Sequence, residues 1–447
     1  MKPNQTDFGS GSIKRLIMAQ AIPLTLAQTV QLLYNIVDRI YIGHLKDVGE
    51  LALTGLGITF PVIVIISAFT NMYASGGATL FSISRGKGDV KEAEGILSNV
   101  FTLLTVTSVV LFGFCYLLRR PILFLFGASE QSFVYADAYL KIYLLGTPFT
   151  MYTTGLNGFI NAQGFPRFGM LTTLLGAGLN ILLDPLFIFG FDMGVSGAAL
   201  ATIISQIVSA VWVLAFLTGK KAVCKIRKNA LALKWARVRH IITLGIPGFV
   251  MGSTTSLVQI VCNNQLQAYG GDLYVGILTV INSIREMVML PVSGLTGGAQ
   301  PVMGFNYGAG KNDRVKESIR FATVLGFAYI CVVALVVLLF PKPLIGIFTS
   351  DANTIAVGAK MIHIYFFGIV FMSLQFAGQI TFQALGFARQ AVFFSMLRKV
   401  IIVVPFTLLL PAIGFGVNGV FMAEPISNVV GGIACFATMW HVVYKKL

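Results

Sequence analysis

The stretch Asn180 to Gly197, "NILLDPLFIFGFDMGVSG", sets a carboxylate and a helix-breaking proline inside an otherwise apolar run. Its meaning depends on whether that run lies in water or in lipid. The 447 residues are 56% hydrophobic and only 11% charged, and mean hydropathy is +0.82. A soluble core of this length needs far less apolar material. Apolar runs of about 20 residues, enough to cross a hydrocarbon layer ~30 Å thick, recur from end to end. The fold class is therefore an all-α integral membrane protein.

Apolar runs read against Gly, Pro and charge punctuation predict twelve transmembrane helices, near 15–43, 51–82, 95–118, 138–160, 169–189, 195–217, 241–268, 274–305, 318–340, 355–384, 391–413 and 417–443. The first contains Pro23, Gln28, Gln31, Asn35 and Asp38, unlike the uninterrupted core of a cleaved signal, and is expected to be a retained span. Net charge is +15. The basic residues cluster in alternate connectors, which is the pattern of membrane insertion rather than of nucleic-acid binding. Lys14 and Arg15, Arg85 to Lys91, Arg167, Lys220 to Arg239, Lys311 to Arg320, Arg389 and Lys445 with Lys446 then all lie on one side. Both termini are expected to be cytoplasmic, in a cell inner membrane. The five cysteines show no CxxC or Cys/His spacing, so neither a disulfide framework nor a metal cluster is implied.

The connector 218–240, "TGKKAVCKIRKNALALKWARVRH", has eight basic residues and no acid. It reads either as a topogenic, partly amphipathic linker or as a lipid-binding or regulatory surface. It divides two copies of one pattern, an amino-terminal six-helix lobe (1–217) and a carboxy-terminal one (241–447). Pro121, Phe126, Tyr143, Gly146, Ala162, Gly164, Phe165, Gly194, Val195, Gly197 and Ser205 are each repeated 222 positions later. "AIP" at 21–23 is echoed by "GIP" at 245–247. Six spans per copy is even, so both lobes enter the membrane in the same sense and are pseudo-symmetric about its normal. Duplicated lobes around a cavity are the geometry that alternating access uses.

Ionisable groups at membrane depth are rare and costly, hence functional candidates. Asp38 has Tyr34 four residues before it, on the same helical face; it is either a buried ligand or an interfacial acid paired with Arg39. Asn180 stands four residues before Asp184 in the same way. Pro185 either frees a carbonyl one turn back and kinks the helix or, in "LDP", ends it. Asn157 and Thr202 add an amide and a hydroxyl, each also readable as an interhelical hydrogen bond. The positions 222 beyond Asn157, Asn180, Asp184 and Thr202 hold Gln379, Ile402, Phe406 and Glu424, so the second copy lacks this acidic face. Two carboxylates among neutral oxygens suit Na+ or a carried proton. In the second copy Arg285 and Glu286 are adjacent and face apart, with Glu424 and Arg398 as candidate partners. They are either structural ion pairs or, with Met287 and Met289, part of a cavity for a lipophilic cation. No HExxH, GxSxG, dinucleotide or phosphate-loop motif is present, so an enzyme is not expected.

The layout and the motifs "IPLTLAQTVQLLYNIVDRIYIGHL", "NAQGFPRFGM" and "LNILLDPLFIFGFDMGVSGAALATIISQ" resemble the multidrug and toxic compound extrusion (MATE) family, in its bacterial branch near the staphylococcal multidrug exporter. The resemblance covers essentially the whole chain. It implies two six-helix lobes forming a V and efflux of cationic amphipathic compounds in exchange for H+ or Na+, with no cofactor. It also implies a monomer in the lipid bilayer that binds no nucleic acid. The family's amino-terminal cation site maps onto Asp38, Asn157, Asn180, Asp184 and Thr202, with Tyr34 beside them; Asp38 and Asp184 would ligate the metal if the ion is Na+. The seventh-helix Glu of some members is missing from "GFVMGSTTSLVQIVCNNQLQ", so coupling is expected in the first lobe. The alternative is a lipid-linked oligosaccharide flippase of related design, which would need a strongly cationic cavity for its pyrophosphate headgroup.

Overall fold

A computed structural model describes residues 6–43 and 49–447, and the regular structure in them is helical. Among the described residues nine helices are long and apolar enough to cross a membrane, and a tenth span is the pair Ala352–Phe366 and Ile369–Ala384, bent by 45°. One helical segment, Ala388–Tyr444, is 57 residues long, well over twice the roughly 20 residues a bilayer needs. It holds two expected spans, divided at Gly414, whose φ of 105° breaks the helix. The span expected at 138–160 is two helices, Glu130–Leu145 and Thr147–Ala162. Pro148 lacks the backbone donor that would continue the first into the second. Gly146 and Gly368, one repeat apart, mark both breaks.

The chain does not stop its helix at "LDP". Pro166–Pro185 runs directly into a wider turn, Leu186–Gly190, of π type. Pro185 cannot donate to the turn before it, and the π turn absorbs the register change. The segment closes where the amide of Phe191 donates to the Leu186 carbonyl at 2.9 Å. Two short helices, Arg119–Leu125 and Pro341–Gly346, were not visible as apolar periodicity because each spans fewer than two turns.

The chain divides into two compact units, residues 1–10 with 22–245, and residues 11–21 with 246–447. The divisions fall before Ile22 and Ile246, inside the "AIP" and "GIP" echoes. In the first unit Gly76 lies so close to Ile241 and Gly245 that a Cβ there would collide with backbone; in the second, Gly298 meets Ala21 in the same way. These glycines let helix backbones touch, as small residues do in membrane helix packing. The first unit buries Phe81 against Phe159, edge to face at 5.2 Å, and the second is centred on Ile281, Phe366 and Phe421.

The connector, expected as a topogenic, partly amphipathic linker or a lipid-binding or regulatory surface, packs within the first unit. Gln163 Oε1 accepts from the amides of Val223 and Cys224 at 2.7 and 2.9 Å. Glu94 accepts from the Lys225 amide at 3.0 Å and pairs with Arg227 at 2.8 Å, while Glu92 pairs with Arg237 at 2.6 Å. The positive run is thus partly neutralised by two acids at the start of helix Val90–Leu117, where carboxylates also favour the helix dipole. Burial pushes the Cys224 thiol up to about 11.

Candidate cation site

Six helices of the first unit converge on a cavity of about 930 Å³, within the size range of drug-sized sites; Gly49–Gly86 supplies Leu56, Phe60 and Ile63 to its wall. Helix Ile13–Gly43 contributes Tyr34 and Asp38, one turn apart. Glu130–Leu145 adds Tyr143, Thr147–Ala162 adds Asn157, Pro166–Pro185 adds Asn180, and Gly194–Thr218 adds Thr202. Asp184 is 0% exposed and is joined to this lining through Asn180. The Asn180 amide nitrogen donates to Asp184 Oδ1 and to Thr202 Oγ1, both at 3.3 Å. Asn157 Nδ2 donates to the Gly169 carbonyl at 3.1 Å. All six residues named from the sequence therefore belong to one constellation. The Arg39 side chain, the alternative partner for Asp38, lies outside the described residues.

The hydrogen bonds leave acceptors over. Asp184 Oδ2, Asn180 Oδ1, Asn157 Oδ1 and Ser205 Oγ are buried without a hydrogen-bond partner. A buried acceptor in that state costs roughly 1–3 kcal/mol. Hard oxygens of this kind match a small cation or a proton shared with a carboxylate. Among the described residues no group of three or more His, Cys, Asp or Glu is placed to hold a metal ion, so the donor set is carboxylate plus neutral oxygen.

The second unit is built differently at the corresponding place. Glu424, 5% exposed, is approached by Lys399 Nζ at 3.1 Å, Arg285 Nη1 at 3.4 Å and Arg398 Nη1 at 3.6 Å. Arg398 also donates to Asn428 Oδ1 at 2.9 Å. Arg285, Arg398 and Glu424 are thus brought together, and Lys399, adjacent to Arg398 in sequence, is the nearest partner of the acid. Glu286 and Met287 are exposed and stand apart from this cluster. Met289, read from sequence as lining a substrate cavity, is 8% exposed and packed in the hydrophobic core. Helical geometry explains the split: residues one apart are ~100° around the axis, so Arg285 and Glu286 cannot share a face.

The family model described as MatE matches residues 23–186 and 247–409. The chain belongs to the MatE family. Its two matches begin at the "IP" of each repeat, so the family pattern itself occurs twice. The chain is 25% identical over 439 residues to the multidrug export protein MepA of Staphylococcus aureus (strain MSSA476), covering 97% of this chain and 95% of that protein. Among solved structures, it matches the outward-facing conformation of a multidrug resistance MATE family transporter of the MOP superfamily. That match has a TM-score of 0.91 and 23% identity, covering 98% of each chain. A MATE solved in a bent conformation matches with TM-score 0.91 and 23% identity, over 98% of this chain and 97% of that one. This MatE chain is thus a multi-pass membrane protein of a transporter family, with the MATE fold.

Proposed function

We propose that this MatE protein is a secondary active antiporter that exports cationic amphipathic compounds in exchange for H+ or Na+ by alternating access. It sits in the cytoplasmic membrane with both termini inside and works as a monomer without a cofactor. The observation that carries this reading is the buried cluster of Asp184, Asn180 and Thr202 opening onto a 930 Å³ cavity that Asp38 also lines. Two acids in one enclosed site favour one bound positive charge, and a coupling ion competes with a cationic substrate for it. Asp38, Tyr34 and Asn157 complete the proposed site. Helix Ile13–Gly43, with Pro23 inside it, is the proposed moving part.

The cavity argues against a flippase, because no Lys or Arg is among its described lining residues. Ethidium efflux from reconstituted vesicles under an imposed Na+ or proton gradient tests the proposal. Wild type should respond to one gradient, which names the ion, and Asp38→Asn and Asp184→Asn should lose gradient-driven efflux. Wild-type rates in both variants would refute the site.

A further inference from the structure

The second unit encloses more positive than negative charge. Arg285, Arg398 and Lys399 surround Glu424 within 3.1–3.6 Å, and their side chains are 18%, 12% and 5% exposed. Glu286, the next acid in sequence, is exposed and on another helical face. The cluster therefore carries a formal excess of two positive charges. One carboxylate oxygen serves all three cations, and the second contacts only Lys399, at 3.4 Å. Buried charge without a counter-charge is strongly unfavourable, so the arrangement calls for an anion.

There is room for one. Arg285, Lys399 and Glu424 border a cavity of about 20 Å³. A single water needs roughly 10–15 Å³ on the same measure, while drug-sized ligands need ~300–1,000 Å³. The space admits one small ion and excludes organic substrates. Arg285 and Lys399 provide the charged donors on its wall, and Asn282 and Tyr365 provide polar groups beside them. The amide of Asn282 is already oriented, donating to Gln259 Oε1 at 2.9 Å and accepting from Tyr365.

The repeat register explains how the site arose. Leu278, Asn282, Arg285, Tyr365, Lys399 and Glu424 line this cavity, and the residues 222 earlier, Leu56, Phe60, Ile63, Tyr143, Ala177 and Thr202, all line the 930 Å³ cavity of the first unit. The two cavities occupy the same place in the two copies. In the second, Ile63 and Ala177 are replaced by Arg285 and Lys399, which fill the volume and reverse its polarity.

We propose that the Arg285–Lys399–Glu424 cluster is a binding site for a small inorganic monovalent anion of halide size, which neutralises the second unit's charged centre. The test is thermal unfolding of the purified full-length protein at fixed Na+ and ionic strength, with chloride replaced stepwise by gluconate. Wild type should show a saturable upward shift in midpoint with chloride, mimicked by bromide. Arg285→Gln and Lys399→Ala should abolish the shift. Equal midpoints in chloride and gluconate, or a shift retained in both variants, would overturn the proposal. If the variants do not fold, bromide-soaked crystals of the wild type decide: an anomalous peak within hydrogen-bonding reach of Arg285 and Lys399 supports the site, and its absence overturns it.

Discussion

The polar centres of the two units stand at the same register and do opposite things. In the first, Ala177, Ile63 and Thr202 leave a wide cavity lined by neutral oxygens and Asp38, with Asp184 buried behind Asn180; in the second, Lys399, Arg285 and Glu424 close it to about 20 Å³. Duplication kept the scaffold, visible in the paired prolines and glycines, while the side chains at three or four positions diverged. A shared fold therefore does not imply a shared ligand, even within one chain.

The comparison can be broken most severely at Glu424. Replacing it with Thr, the residue of the first copy, leaves three buried cations without their common partner. The expected cost is about 3–5 kcal/mol, read as a large drop in the denaturation midpoint of the purified protein. A small drop would mean that the cluster is solvated and the contrast with the first unit overstated. Combining Arg285→Ile, Lys399→Ala and Glu424→Thr copies the first unit's lining into the second. Exchange of a buried ion network for apolar residues is often neutral or stabilising, so the triple variant should regain part of the stability lost by Glu424→Thr alone, with Arg398 still held by Asn428. If it is much less stable than the wild type, the paired charges contribute net attraction.

Smaller changes sharpen the first unit's side of the contrast. Thr202→Val removes one of the two acceptors of the Asn180 amide and should cost about 0.5–1.5 kcal/mol by the same measurement. It should also weaken gradient-driven efflux, because Asn180 loses the contact that orients it toward Asp184. Pro185→Ala restores a backbone donor beside the π turn Leu186–Gly190. Little change in stability is expected, with a lower transport rate as the readout of a helix that no longer yields there; an unchanged rate would make Pro185 a scaffold residue.

Much of this contrast could be read from the chain. Apolar runs long enough for a bilayer gave the spans, and identities 222 apart gave the duplication. The four-residue spacing of Asn180 and Asp184 placed an amide against a carboxylate, and the two are hydrogen-bonded at 3.3 Å. What was hidden lay in local departures from helical periodicity. The π turn over Leu397–Val403 rotates the helix within the charged segment, so spacing alone could not say that Lys399 rather than Arg398 sits nearest Glu424. The connector's seat depended on Glu92 and Glu94, more than 130 residues away in sequence, which no local pattern reports. Met289 was misread because a methionine beside charges looks the same in sequence whether it faces a cavity or a core.

The central claim is that one positive charge at a time occupies the first unit's acidic site. Its most direct test is ethidium binding to the purified protein as Na+ or proton concentration is raised. In the wild type, one of these ions should displace ethidium competitively, whereas Asp184→Asn should bind ethidium with an affinity insensitive to both. An unchanged displacement curve in Asp184→Asn would contradict the account.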